Sequence, residues 1–314
     1  MSTVIVDEFP DEFERYLQLF LAWSQAMNYS METTKTRANN IRRFTAWCEP
    51  RGLYRPQDVT ASVLERYRQY LFHYRKANGE PLSFSTQHSY LAPIKAFFKW
   101  LNKENHILYN PASEFELPKM PKHLPKDFFS YEEIDAMIEQ TKIYGDIGLR
   151  DRGIIETFYS TGVRRMELMN LKLQDADLKR GTLVVFEGKY QKDRVVPLGD
   201  RACHWIERYL KEVRPNLING NDNGHLFLTE KGAPFIKGRI SDLIKKYKEA
   251  IGVDKHGACK LFRTSMATHM LDNGADIRFI QEILGHADIK TTQIYTNVSI
   301  KKLKEVHART HPAK

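Results

Sequence analysis

Near the end of the sequence, Leu284-Gly285-His286-Ala287-Asp288-Ile289-Lys290-Thr291-Thr292-Gln293-Ile294-Tyr295 holds a histidine and a tyrosine a short turn apart. Leu284-Gly285-His286 reads as a helix stop, since glycine takes the left-handed conformation that a C-cap needs. Thr291 and Thr292 then open a short segment that carries Tyr295. An imidazole changes charge near neutral pH. A phenol, with a pKa of about 10, reacts as an oxyanion only where cations lower the cost of its charge. Cations stand upstream: Arg164 just past Gly162, Lys189 beside Gly188, and Lys260 and Arg263 one helical turn apart. Singly, each has a plainer use: Arg164 as a salt-bridge partner, Lys189 as a turn residue, Arg263 as a helix-surface charge, His286 or Tyr295 as packing. Other chemistries lack their residues. No P-loop glycine pattern and no carboxylate cluster for a two-metal site occur, and Cys48, Cys203 and Cys259 form neither a CxxC pair nor a disulfide framework.

Taken as an ordered set, these residues resemble the tyrosine site-specific recombinases, the phage-integrase family, and within it the Xer-type bacterial recombinases. Leu284-Gly285-His286, a gap, then Thr292-Gln293-Ile294-Tyr295 is similar to the family's C-terminal box. Tyr159-Ser160-Thr161-Gly162-Val163-Arg164-Arg165-Met166-Glu167-Leu168 resembles its first arginine box. Gly188-Lys189, before Lys192-Asp193-Arg194-Val195-Val196-Pro197-Leu198, matches the box with the catalytic lysine. Lys260-Leu261-Phe262-Arg263 aligns with the family's His-x-x-Arg, and Ala267-Thr268-His269 continues that match.

The resemblance implies phosphoryl transfer to a protein nucleophile. Tyr295 attacks a DNA phosphodiester and forms a 3′-phosphotyrosine link. Arg164 and Arg263 hold the non-bridging oxygens with forked hydrogen bonds and stabilise transition-state charge. His286 supplies a further hydrogen bond, and Lys189 protonates the leaving 5′-oxygen as general acid. The covalent link stores the bond energy, so no metal, ATP or other cofactor is implied. The family most often has histidine where this chain has Lys260. An ammonium has donors and no acceptor, so Lys260 suits a hydrogen bond to phosphate, and a base role requires Arg164 and Arg263 to depress its pKa. This departure fits a mobile-element recombinase at least as well as a chromosome-dimer resolvase. The implied partner is a double-stranded DNA recombination site, engaged by a homo-tetramer on two duplexes or with a paired recombinase. A type IB topoisomerase-like enzyme and a non-catalytic DNA-binding protein are the alternatives.

The elements that must position these groups follow from composition and pattern. A length of 314 residues suggests about two domains. With 42% hydrophobic and 28% charged residues the chain is ordinary for a globular protein. No apolar run reaches the length of a membrane span, and the acidic start is unlike a secretory signal, so the cytoplasm is the expected compartment. The net charge of +9 favours a polyanion. Residues 15–126 carry 17 Lys+Arg against 8 Asp+Glu, and residues 127–314 carry 31 against 26.

The expected fold is mostly α: an N-terminal four-helix core-binding (SAM-like) bundle over 1–117, a basic Pro-rich linker over 118–126, and an α+β catalytic domain with a small antiparallel sheet over 127–314. In the bundle, apolar residues recur at helical spacing through Leu17 and Phe20, Ile41 and Phe44, Leu64 and Tyr67, and Leu91 and Phe97. Asn78-Gly79 is expected to close the third helix, and Pro93 to kink the fourth. By the resemblance, Thr33, Thr34, Lys35, Arg37, Arg42, Arg43, Gln87 and Lys95 are candidate DNA contacts. In the catalytic domain Ser130 and Glu133 make a capping box. Strands are expected over 182–186 and 194–198, joined by a turn over 188–193, with a third over 225–229. Helices are expected over 150–159, from Met166, and over 200–213, 237–250, 260–272, 276–284 and 300–308. The last, with Ile300, Leu303 and Val306 on one face, is too short to stand alone and, by the resemblance, docks on the next protomer.

Overall fold

The computed structural model describes residues 12–120, 127–186, 193–220, 222–286 and 292–293. The expected linker largely, the hairpin turn with Lys189, and the C-terminal segment with Tyr295 and the terminal helix lie outside the described residues. The chain divides between Lys122 and His123 into two compact units. Both are mostly helical.

The first unit contains α1 (Glu12–Ala26), α2 (Met31–Cys48), α3 (Ala61–His73) and α4 (Phe84–Lys103). Ser30, Thr60 and Ser83 each cap a helix by accepting a backbone N–H three residues on. The apolar faces meet in an aromatic-rich core. Phe44 sits edge-on to Tyr67 at 5.0 Å between ring centroids, and Phe20 edge-on to Phe97 at 5.5 Å. Pro93 lies inside α4 and cannot donate to the carbonyl of Ser89, four residues back. That oxygen accepts instead from Asn40 Nδ2 of α2 at 3.0 Å, so a neighbouring helix fills the gap in the ladder. One expectation is corrected. Asn78-Gly79 does not end α3, which stops at His73. It forms the tip of a small hairpin closed by an Arg75–Pro81 bridge, with Gly79 at φ 81°.

The second unit begins with α5 (Tyr131–Thr141), whose Ser130–Glu133 capping box is formed. It is followed by α6 (Gly145–Thr161) and α7 (Arg165–Asn170). A three-stranded antiparallel sheet comes next, ordered β1 (Ala176–Asp177), β2 (Thr182–Val185), β3 (Arg194–Pro197), with Leu183 opposite Val196. Then α8 (Asp200–Arg208) runs through a π-helical turn at Tyr209–Val213 into α9 (Arg214–Leu217), and α10 (Arg239–Ala250), α11 (Cys259–Asp272) and α12 (Ile277–Leu284) complete the unit. The centre is α6, packed on α8 and α11, with Ile154, Ile155 and Phe158 fully buried.

The expected strand at 225–229 does not form. His225 and Leu228 make single bridges to Lys172 and Pro234, and the third strand of the sheet is β1. Leu226 and Leu228 are buried by packing rather than by a ladder, which explains their strand-like pattern.

Candidate active site

Two turns and one helix bring the described candidates together. The first is the end of α6. Gly162 caps it in the left-handed conformation, φ 59°, donating to Phe158 O. The positive φ is what requires glycine there; a Cβ would also meet Met266 Cε at 2.3 Å, a flexible side-chain end that would have to move. The extended residue Arg164 then starts α7. Its backbone N–H donates to Glu167 Oε2 at 2.8 Å, and its Nη1 to Glu167 Oε1 at 2.7 Å.

The second is the end of α12. Gly285, φ 62°, caps the helix, and His286 N–H donates back to Gln281 O, which fixes the path of the chain into His286.

The third element is α11. Arg263 projects from its second turn and is 6% exposed, a buried guanidinium. Its Nη1 donates to Gly162 O at 2.7 Å, and its Nη2 to Leu284 O at 2.5 Å and to His286 Nε2 at 2.9 Å. Arg263 therefore clamps the α6 turn to the α12 turn. A guanidinium only donates, so His286 Nε2 is the acceptor. The proton of the neutral ring is then on Nδ1, which donates to Thr292 Oγ1 at 2.8 Å. Lys260, one turn before Arg263, is exposed at the start of α11. His269, two turns further, points elsewhere. It is buried, bonded to the Tyr159 hydroxyl at 2.8 Å and stacked on Tyr131, and burial lowers its pKa.

Two site residues escaped the sequence reading. Glu167 is buried and takes three sets of donors: the N–H and Nη1 of Arg164, and the fork of Arg194, with Nη2 to Oε2 at 2.7 Å and Nη1 to Oε1 at 3.1 Å. Burial alone would raise its pKa, but the bonds from Arg194 and from the Arg164 N–H outweigh that and hold the carboxyl at about 2. Arg194 also donates from Nε to Ile283 O at 2.9 Å. The available signal was proximity in sequence: Glu167 lies one turn after Arg164, and Arg194 just past the turn of Lys189.

In the first unit the candidate DNA contacts fall into two groups. Lys35, Arg42 and Arg43 are exposed on α2, though Arg42 is paired with Glu14 at 2.6 Å and Arg43 lies over the Tyr90 ring. Thr33 is half-buried at the start of α2, and half-buried Arg37 covers the Tyr29 ring and donates to Ser24. The others are turned inward. Thr34 is buried and bonds Ser30 O, Gln87 is buried and donates to Leu82 O, and Lys95 donates to Phe115 O.

Known proteins share this arrangement of sequence and fold. Residues 127–302 match the Phage integrase family, and residues 16–107 match the Phage integrase N-terminal SAM-like domain. The chain is 49% identical over 300 residues to tyrosine recombinase XerC 2 of Ralstonia nicotianae, covering 96% of this chain and 86% of that one. It is 33% identical over 280 residues to tyrosine recombinase XerD of Pseudomonas aeruginosa, covering 89% and 91%. Among solved structures, XerH site-specific recombinase bound to palindromic difH substrate, a post-cleavage complex, superposes with a TM-score of 0.74 at 19% identity, covering 96% of this chain and 98% of that one.

Proposed function

The chain belongs to the phage integrase family and is a tyrosine recombinase of the Xer type, and on that premise we propose that Tyr295 is its nucleophile and Arg164 and Arg263 its phosphate clamp. The enzyme breaks and rejoins DNA strands at specific sites, and DNA is its partner.

In the proposed reaction Tyr295 gives its proton to water, the cations of the site offsetting the phenolate charge, and its oxygen bonds to phosphorus as the bond to the 5′-oxygen breaks. Lys189 gives that oxygen a proton, and the 3′-phosphotyrosine keeps the bond energy for rejoining by a 5′-hydroxyl. Arg164 and Arg263 donate to the non-bridging oxygens. His286 adds a hydrogen bond to the same phosphate; its Nε2 accepts from Arg263 at 2.9 Å without substrate, and that contact gives way when Nε2 becomes a donor. Lys260, exposed one turn before Arg263, binds a phosphate oxygen rather than removing a proton.

The observation that carries this reading is the Arg263 clamp. One buried guanidinium joins the turn before Arg164 to the turn that leads into His286 and on towards Tyr295. The hydrogen bonds hold its position before substrate arrives, which is what stabilising developing charge requires.

Residues 1–117 serve as a core-binding DNA domain, 118–126 as a basic linker and 127–314 as the catalytic domain. Four chains, or two pairs with a second recombinase, act on two sites.

The test is a covalent adduct. A duplex selected from a random-sequence pool by binding to the wild-type chain, and nicked beside the scissile phosphate, traps the cleaved strand on the protein. Tyr295→Phe is expected to bind this duplex as the wild type does and to form no adduct. An adduct that persists in Tyr295→Phe sinks the assignment.

A further inference from the structure

Arg194 opens β3, and its guanidinium is turned into the protein. The side chain is 9% exposed, and each of its three nitrogens has a partner inside the chain: Nη1 and Nη2 on Glu167, Nε on Ile283 O. The backbone of the α12 turn lies against it, so that a Cβ at Gly285 would be 2.9 Å from its Cδ and 3.2 Å from its Nε. Glu167 holds Arg194 on one side and Arg164 on the other.

The charges of this trio decide what Arg164 can do. Glu167 with Arg164 alone would be a neutral pair, and a phosphate would meet an arginine already matched by a carboxylate. Adding Arg194 brings the trio to a net charge of one positive unit. Arg194 takes both carboxylate oxygens with its fork, while among the described residues the Arg164 guanidinium bonds only through Nη1. The carboxylate remains ionised at any pH where DNA is handled, since it is held at about 2. Glu167 thus anchors Arg164 by its backbone N–H and one nitrogen without cancelling it.

We propose that Arg194 is a positioning residue for cleavage: it neutralises Glu167 so that the charge of Arg164 stays available to the scissile phosphate, and it ties the hairpin to the helix end that leads into His286. The proposal rests on the reading of Arg164 as a phosphate ligand.

Adduct formation on the nicked duplex tests it. Arg194→Met is expected to slow the step by at least about thirtyfold, less than removal of a direct donor. Single-site binding should change by no more than about threefold, because many other phosphate contacts remain. The decisive arm is Arg194→Met combined with Glu167→Gln. Removing the uncompensated carboxylate should return about tenfold of the lost rate, which a merely structural role for Arg194 would not produce. Wild-type rates in Arg194→Met, or a double variant no faster than the single one, overturn the proposal.

Should Arg194→Met fail to fold by its melting curve, Arg194→Lys decides. It keeps the charge without the fork and is expected to cleave within about fivefold of wild type; a deeper loss overturns the charge role. Arg164→Ala assayed alongside separates the two readings. A slow Arg164→Ala beside a fast Arg194→Met sinks only the role of Arg194, and a fast Arg164→Ala sinks the clamp and this role with it.

Discussion

The interiors of the two units are built from different materials. Among the described residues, the buried polar side chains of the first unit are Ser24, Thr34, Asn40 and Gln87, none of them charged. The second unit buries Arg150, Asp151, Glu156, Glu167, Asp175, Arg214 and Arg263. Burying an ion pair costs desolvation that its attraction barely recovers, so such pairs add little stability. Their presence in one unit only calls for another reason, and geometry supplies it. Arg150 grips Asp151 and Leu228 O while Tyr247 donates to Asp151 at 2.7 Å, fixing the irregular 225–229 segment to α6 and α10. Glu167 and Arg263 do the same for the turns of the candidate active site. On the proposed reading, the first unit has to hold a shape and the second has to hold atoms at fixed distances from a phosphate.

The contrast can be broken by experiment. Phe44→Ala empties the aromatic centre of the first unit and should lower unfolding stability by about 3–5 kcal/mol, read in a denaturant melt. Below its transition, adduct formation per bound chain should match the wild type. Slow chemistry in a fully folded, fully bound Phe44→Ala chain would mean that the first unit's core also tunes the reaction.

Arg263→Ala and Arg164→Ala should each cost about a hundredfold or more in adduct formation, with binding affected far less. They should differ in stability. Arg263 leaves Gly162 O and Leu284 O without their donor, so its variant melts earlier, whereas half-exposed Arg164 leaves little behind. Equal melting temperatures would remove Arg263 as the link between the two turns.

The smallest effect concerns His269. Burial lowers its pKa below the usual 6.5, so the unfolded chain takes up the proton first. Its contribution to stability is therefore complete above pH 6.5 and declines as pH falls towards the folded value. His269→Gln, which keeps an acceptor for the Tyr159 hydroxyl, should flatten the stability profile just below pH 6.5. An unchanged slope would assign the acid sensitivity to other groups.

The sequence made the helical frame legible because its signals are local. Ser130 with Glu133, Thr60 before Ala61, and Gly285 after Leu284 each announce a helix end through a bond spanning three or four residues. Arg263 and His286 were legible by family resemblance, and their contact by nothing in the sequence. Arg194 was missed because its burial depends on α7 and α12, distant in sequence, while strand alternation by itself assigns no such role. Gln87 and Lys95 were read as surface donors because the pattern of a helix does not reveal a nearby carbonyl, here Leu82 O and Phe115 O. The 225–229 segment looked like a strand because burial of Leu226 and Leu228 produces the same alternation that a ladder would.

The bond from Asn40 to Ser89 O has a consequence for how the first unit assembles. In an isolated α4, Pro93 leaves that carbonyl to water. Only when α2 arrives does Asn40 Nδ2 replace the water. The last carbonyl of α4 to be satisfied thus finds its partner only on docking to α2, so the middle of α4 should exchange its amide hydrogens together with the opening of the α2–α4 contact rather than as a solitary fraying helix.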